Sequence, residues 1–198
     1  MNRSVTAPGL ITIDRLWAAE TQVDRATRAV VLMAAGTALL WISAKIQIPF
    51  WPVPATLQTL MVVLIGAFYG SRLGFATIIA YLAEGLAGLP VFVGTPEKGL
   101  GLAYMVGPTG GFLLGFAVAA FLIGLAVERG WGKSLLSTLA AMIIANVAIH
   151  AFGLTWLGTL VGPQKAILFG LTPFLLSDAV KIMIATGVTY AASRATAK

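Results

Sequence analysis

An aspartate and a lysine three residues apart, Asp178 and Lys181, are the only charges in the apolar stretch from Ala166 to Ala192. On a helix, positions i and i+3 share a face about one turn apart, so this carboxylate and ammonium can meet. In a membrane helix each charge costs about 2.5–3.5 kcal/mol on insertion scales, so such residues usually face a cavity and act there. A carboxylate acceptor beside an ammonium donor suits a small ligand that carries both N–H donors and an anionic group. Two other uses compete with ligand recognition. One is acid–base work in an intramembrane enzyme, and the other is a self-satisfied pair that only locks its helix in a structural subunit.

Few other polar side chains share this environment. Tyr81 and Glu84 stand in one apolar segment, and Asn146 and His150, four residues apart and so on one helix face, stand in another. Glu84 precedes a Gly-Leu-Ala-Gly-Leu-Pro exit and can equally sit at the outer interface, while Asn146 and His150 can equally serve interhelical hydrogen bonds. Catalytic and cofactor motifs are missing. Gly132-Lys133-Ser134 ends like a phosphate loop, but Val127 stands where the first glycine is needed. Gly99-Leu-Gly101 fails as a dinucleotide fingerprint because Tyr104 holds the last glycine position. The single histidine, His150, and the lack of cysteine argue against a zinc site, and no Gly-x-Ser-x-Gly suggests a serine nucleophile. Recognition without a cofactor or metal is therefore expected, and not catalysis.

The elements that carry these residues follow from composition. The 198 residues are 59% hydrophobic and only 10% charged, with a mean hydropathy of +0.93. Soluble domains carry about 25% charge, so an all-α integral membrane protein is expected. The net charge of +6 is scattered between apolar segments, with no basic run to track a phosphate backbone, which excludes nucleic acid as a partner. Residues 1–28 form a polar head in which Ile11, Ile13, Leu16 and Trp17 could make a short interfacial helix. Residues 29–198 carry six apolar segments, at about 29–44, 56–70, 73–88, 105–127, 135–160 and 167–192, which predict a compact six-helix transmembrane bundle. The second and third are short, and Gly70-Ser71-Arg72 between them allows only a tight turn.

Six spans place both termini on one side of the membrane. That side collects Arg3, Arg15, Arg25, Arg28, Arg72, Arg129, Lys133, Arg194 and Lys198, and the other side only Lys45, Lys98 and Lys165. Such a bias predicts cytoplasmic termini. The polar residues then converge between the outer face and mid-membrane, under the Pro- and Gly-rich connectors Ile46–Ala55 and Leu89–Pro108. Small residues at four-residue spacing predict close helix contacts along Gly107, Gly111, Gly115 and Ala119, and along Gly66, Gly70 and Gly74. Ala34 and Ala38 mark a similar face on the first span, suited either to internal packing or to a partner.

The chain carries, in order, Pro52-Val-Pro54-Ala-Thr-Leu-Gln58-Thr-Leu, Tyr81-Leu, Gly88-Leu-Pro90-Val-Phe92, Gly107-Pro-Thr-Gly-Gly111 with Gly115-Phe, Trp156-Leu, and Pro173-Phe-Leu-x-x-Asp178-x-x-Lys181. Together these runs resemble the BioY family, the biotin-specific substrate-binding (S) components of energy-coupling factor (ECF) transporters. The resemblance covers about residues 29–192, with the runs in order. It implies six helices, a biotin pocket near the outer face, location in the cytoplasmic (inner) membrane and no ATPase activity of the chain itself. Asp178 and Lys181 match the family's biotin-site pair; Tyr81, Glu84, Asn146, His150 and Gln58 complete the expected ligand-binding set. Ala34 and Ala38 match its docking surface for a transmembrane coupling subunit, which works with two ATP-binding subunits. Gating is implied for the one-to-two and three-to-four connectors. A homo-oligomer is left open. Two features depart from the pattern: Gly94-Thr-Pro-Glu-Lys98-Gly in the three-to-four connector, and a histidine at position 150.

Overall fold

A computed structural model describes residues 21–195. The expected interfacial helix at Ile11–Trp17 lies outside them. Helix α1 spans Gln22–Lys45 and so begins inside the segment read as a polar head. Its start is set by a capping box: the Thr21 side chain accepts from the Asp24 backbone N–H, and the Asp24 carboxylate accepts from that of Thr21. The connector that follows is not plain loop. Strands β1 (Gln47–Ile48) and β2 (Ala55–Thr56) pair antiparallel, with Gln47 opposite Thr56.

Helix α2 (Gln58–Leu86) breaks and reverses at Gly70, where φ is 83° and ψ is 176°. Only glycine visits that region freely. Two observations establish the reversal. The side chains of Gln58 and Tyr81, 23 residues apart, are hydrogen-bonded at 2.7 Å, although a straight helix would separate them by about 34 Å. A Cβ at Gly74 would also lie 3.0 Å from the Cα of Gly66. The second and third expected segments are therefore two antiparallel arms of one helical hairpin. Glu128 fastens the turn, its carboxylate accepting from the backbone N–H of Ser71 at 2.7 Å and from the Ser71 hydroxyl.

The remaining elements are a short α3 (Gly101–Met105), α4 (Gly110–Glu128), α5 (Leu135–Val161), α6 (Pro163–Gly170) and α7 (Leu175–Ala195), with 3₁₀ turns at Trp131–Lys133 and Thr172–Phe174. Among the described residues, five helical stretches are long and apolar enough to cross a membrane, the α2 hairpin counting as one and α6–α7 as another. Helix α4 is the most enclosed, packed between the hairpin and α5. Its small residues allow this. Gly111 lies against Trp156 and Phe152, Gly115 against Ile149, and Gly124 against the turn at Gly70–Ser71. Gly107 precedes the helix and is not part of that ridge; its carbonyl accepts from the Trp156 indole N–H at 2.9 Å. The outward faces carry exposed Leu39, Ile42, Ile79, Leu114, Ile144 and Met183, as a lipid-facing surface requires.

Antiparallel connectivity brings the connectors 46–57, 87–109 and 162–174 to one end of the bundle. Ring contacts tie the first and third together there: Trp51 meets Phe169, and Phe50 meets Phe174.

Candidate ligand-binding site

The last apolar stretch does not run as one helix from residue 167. Pro173 has no N–H and disfavours helix before it, so α6 ends at Gly170 and a 3₁₀ turn intervenes. Helix α7 restarts at Leu175, which puts Asp178 in its first turn, where unpaired backbone N–H groups favour a carboxylate. Lys181 follows one turn on. Its ammonium donates to Asp178 Oδ1 at 3.1 Å and to the Thr59 hydroxyl, on the first hairpin arm, at 3.0 Å. The other carboxylate oxygen, Oδ2, lies 2.7 Å from His150 Nε2 on α5. Asp178 and Lys181 are 4% and 8% exposed, so the ion pair is buried. His150 Nδ1 is also buried and has no hydrogen-bond partner.

A second polar chain runs beside the first. The Thr56 hydroxyl donates to Gln58 Oε1 at 3.3 Å, Gln58 Nε2 donates to the Tyr81 hydroxyl at 2.7 Å, and Tyr81 donates to the backbone carbonyl of Val91 at 2.8 Å. Gln58 is thereby held in place from both ends. Between the two chains lies a cavity that opens toward the connectors. Its polar edge is Gln58, Thr59, His150, Asp178 and Lys181. Its walls are aromatic: Phe112, His150 and Phe174 meet with centroids 5.9–6.4 Å apart, and Phe92 stacks on Tyr104 at 4.9 Å. The β-ribbon adds Val53, Pro54 and Thr56, and the 87–109 connector adds Phe92 and Val93. Such a cavity offers flat apolar faces to a ring system and a line of donors and acceptors to its edge.

The expected site residues sort into three groups. Asp178, Lys181, His150 and Gln58 line the cavity. Tyr81 is fully buried behind Gln58 and acts on it, and also supports Phe92, whose ring it meets edge-on at 5.4 Å. Asn146 and Glu84 do not line the cavity. Asn146 shares the face of His150 but opens on a groove between α5 and α7, at the back of Asp178. Glu84 is half-buried near the end of the second arm, where the chain leaves the helix. Thr59, Phe112 and Phe174 were missed because neither threonine nor phenylalanine stands out in an apolar helix. Thr59 lies directly after Gln58, and Phe174 directly after the helix-breaking Pro173, which were the available signals.

A multi-pass helical membrane protein whose connector end encloses an aromatic-walled cavity with a buried ion pair belongs to the class that binds small substrates within the bilayer. The chain belongs to the BioY family, which it matches over residues 15–198. It is 40% identical over 150 residues to the biotin transporter BioY of Thermotoga maritima, covering 75% of this chain and 86% of that one. It is 38% identical over 152 residues to the probable biotin transporter BioY of Pyrococcus horikoshii, covering 77% and 88%. The fold is similar to the crystal structure of the S-component for biotin from an ECF-type ABC transporter, with a TM-score of 0.72, 24% identity, and 89% and 95% of the two chains covered.

Proposed function

We propose that this chain captures biotin from the outer face of the cytoplasmic membrane and supplies it for uptake as the S component of an ECF transporter. The observation that carries the reading is the juxtaposition of the Asp178–Lys181 pair, His150 and Gln58 along one edge of an aromatic cavity in a member of the BioY family. Biotin presents two ureido N–H groups, a ureido carbonyl and a valerate carboxylate. Asp178 is the acceptor for a ureido N–H, and Lys181 orients it or pairs with the valerate. With Asp178 ionised, His150 Nε2 carries the shared proton, which leaves Nδ1 as a second acceptor. Phe92, Phe112 and Phe174 exclude water, so each of these hydrogen bonds is stronger than in a solvated site.

The bias of lysine and arginine supports cytoplasmic termini, so that the cavity end faces outward. Ala34 and Ala38 are exposed on α1, while Leu32, Gly36 and Leu40 of the same helix face inward. Their exposure supports docking of a transmembrane coupling subunit on this face, which with two ATP-binding subunits would supply the energy. Ala34→Trp or Ala38→Trp is expected to abolish ATP-dependent uptake in the assembled complex and leave biotin binding intact. Loss of binding would instead assign these residues to packing.

The functional reading is tested by binding of radiolabelled biotin to the purified protein. Saturable binding and recovery of the ligand unaltered are expected; a chemically altered ligand would indicate an intramembrane enzyme, and no binding a structural subunit. Gly85→Ala tests the aromatic wall. A Cβ at residue 85 would come within 2.8 Å of Phe92 Cε1 and closer to two other ring atoms, so the ring must move. Biotin affinity is expected to fall about tenfold, a change of about 1.4 kcal/mol, and unchanged affinity would remove Phe92 from the binding wall.

A further inference from the structure

Lys45, the last residue of α1, makes four contacts with one short segment, three of them to its backbone. Its ammonium donates to the carbonyls of Pro90, Phe92 and Thr95 at 3.0, 3.1 and 3.3 Å, and lies 3.4 Å from the Thr95 hydroxyl. None of these partners is a carboxylate. An ammonium whose recorded partners are three converging carbonyls and a hydroxyl does not serve as one half of an ion pair; it fixes the path of the segment that supplies them. Thr95 closes the same segment from within, its hydroxyl donating to the Phe92 carbonyl at 2.7 Å. Tyr81 takes the carbonyl of Val91 at 2.8 Å. Backbone oxygens at 90, 91, 92 and 95 are thus held by two side chains from two other helices.

The held segment is the part of the long connector that covers the cavity. Phe92 and Val93 line it, whereas Pro96, Glu97 and Lys98 immediately beyond are exposed. We infer that Lys45 is a latch: a positioning residue that holds the Pro90–Thr95 segment closed over the ligand cavity and thereby sets how long a ligand stays. The inference rests on the cavity being the biotin site, but the latch itself is a property of the unliganded protein. Neutralising Lys45 removes the shared donor from three carbonyls and leaves Phe92 only the Thr95 hydroxyl, which lowers the cost of lifting Phe92 from its place between Tyr81 and Tyr104.

The chain contains no cysteine, so a single reporter can be placed without removing native thiols. Glu97→Cys, spin-labelled in the full-length protein in lipid nanodiscs, reports motion of the segment directly. Adding Lys45→Met is expected to shift the label from a slow to a fast component, and Lys45→Arg, which keeps the cation, is expected to retain the slow one. In parallel, biotin dissociation from the Lys45→Met protein is expected to be about tenfold faster or more, with the association rate changed much less. An unchanged spectrum in Lys45→Met overturns the latch. A mobilised label with unchanged biotin dissociation overturns its role over the cavity. If the wild-type protein binds no biotin but the label is still released by Lys45→Met, the latch stands and the ligand assignment falls.

Discussion

Asp178→Asn is expected to raise the dissociation constant for biotin at least about a hundredfold, equivalent to about 2.7 kcal/mol, and to destabilise the unliganded protein as well. The substitution leaves the Lys181 ammonium 8% exposed without its carboxylate, facing only the Thr59 hydroxyl and a neutral amide. Breaking a buried pair by removing one member costs about 3–5 kcal/mol. Lys181→Met is expected to lose binding to a similar degree but to cost less stability. Its stranded carboxylate still has His150 Nε2 as a hydrogen-bond partner at 2.7 Å. The double variant should recover most of the stability lost in Asp178→Asn without recovering binding, because the uncompensated charge is gone. Equilibrium binding and thermal unfolding of the three proteins separate recognition from stability. Wild-type biotin affinity in both single variants would remove the pair from the site, and equal destabilisation by the two would show that the His150 hydrogen bond does not compensate the stranded carboxylate.

A second large effect is expected far from the cavity, at Gly124. A Cβ there would lie 2.6 Å from Ser71 Cα and nearer still to Ser71 N and Gly70 C, all of them backbone atoms that no rotamer change can withdraw. Gly124→Ala must push the hairpin turn away from α4 and stretch the bonds from Ser71 to Glu128. Overpacking of this kind costs about 1–3 kcal/mol. Biotin affinity should fall with stability, because Gln58 and Tyr81 stand on opposite arms of the hairpin that this contact sets. Gly187, on α7, has no atom within 4 Å of the corresponding position, so Gly187→Ala is expected to be neutral or slightly stabilising. Unfolding curves that place Gly124→Ala with wild type would show that the turn does not approach α4 as closely as described.

Much of the architecture was legible in sequence because it follows from local chemistry. The apolar segments, the tight reversal at Gly70 and the rich outer connectors all register as composition or as single residues with special backbone freedom. Other features are local in cause but were read too smoothly. Thr21 and Asp24 start α1 inside the polar head, and Pro173 interrupts the last apolar stretch, so that Asp178 begins a helix and does not sit in the middle of one. Both are short-range signals that an average over hydropathy conceals.

The sequence by itself determined that two opposite charges stand one turn apart in an apolar helix, together with the family pattern around them. That much needs only helical periodicity and the cost of charge in a bilayer. Only the tertiary structure decided their company. It brought His150 and Thr59 to the pair, set Tyr81 behind Gln58, turned Asn146 to another groove and gave Lys45 a segment to hold. These partners lie on different elements or on opposite arms of the hairpin, and their meeting depends on how closely glycine-lined faces let the helices approach. Interhelical distance is a property of the packed bundle, and no single segment encodes it.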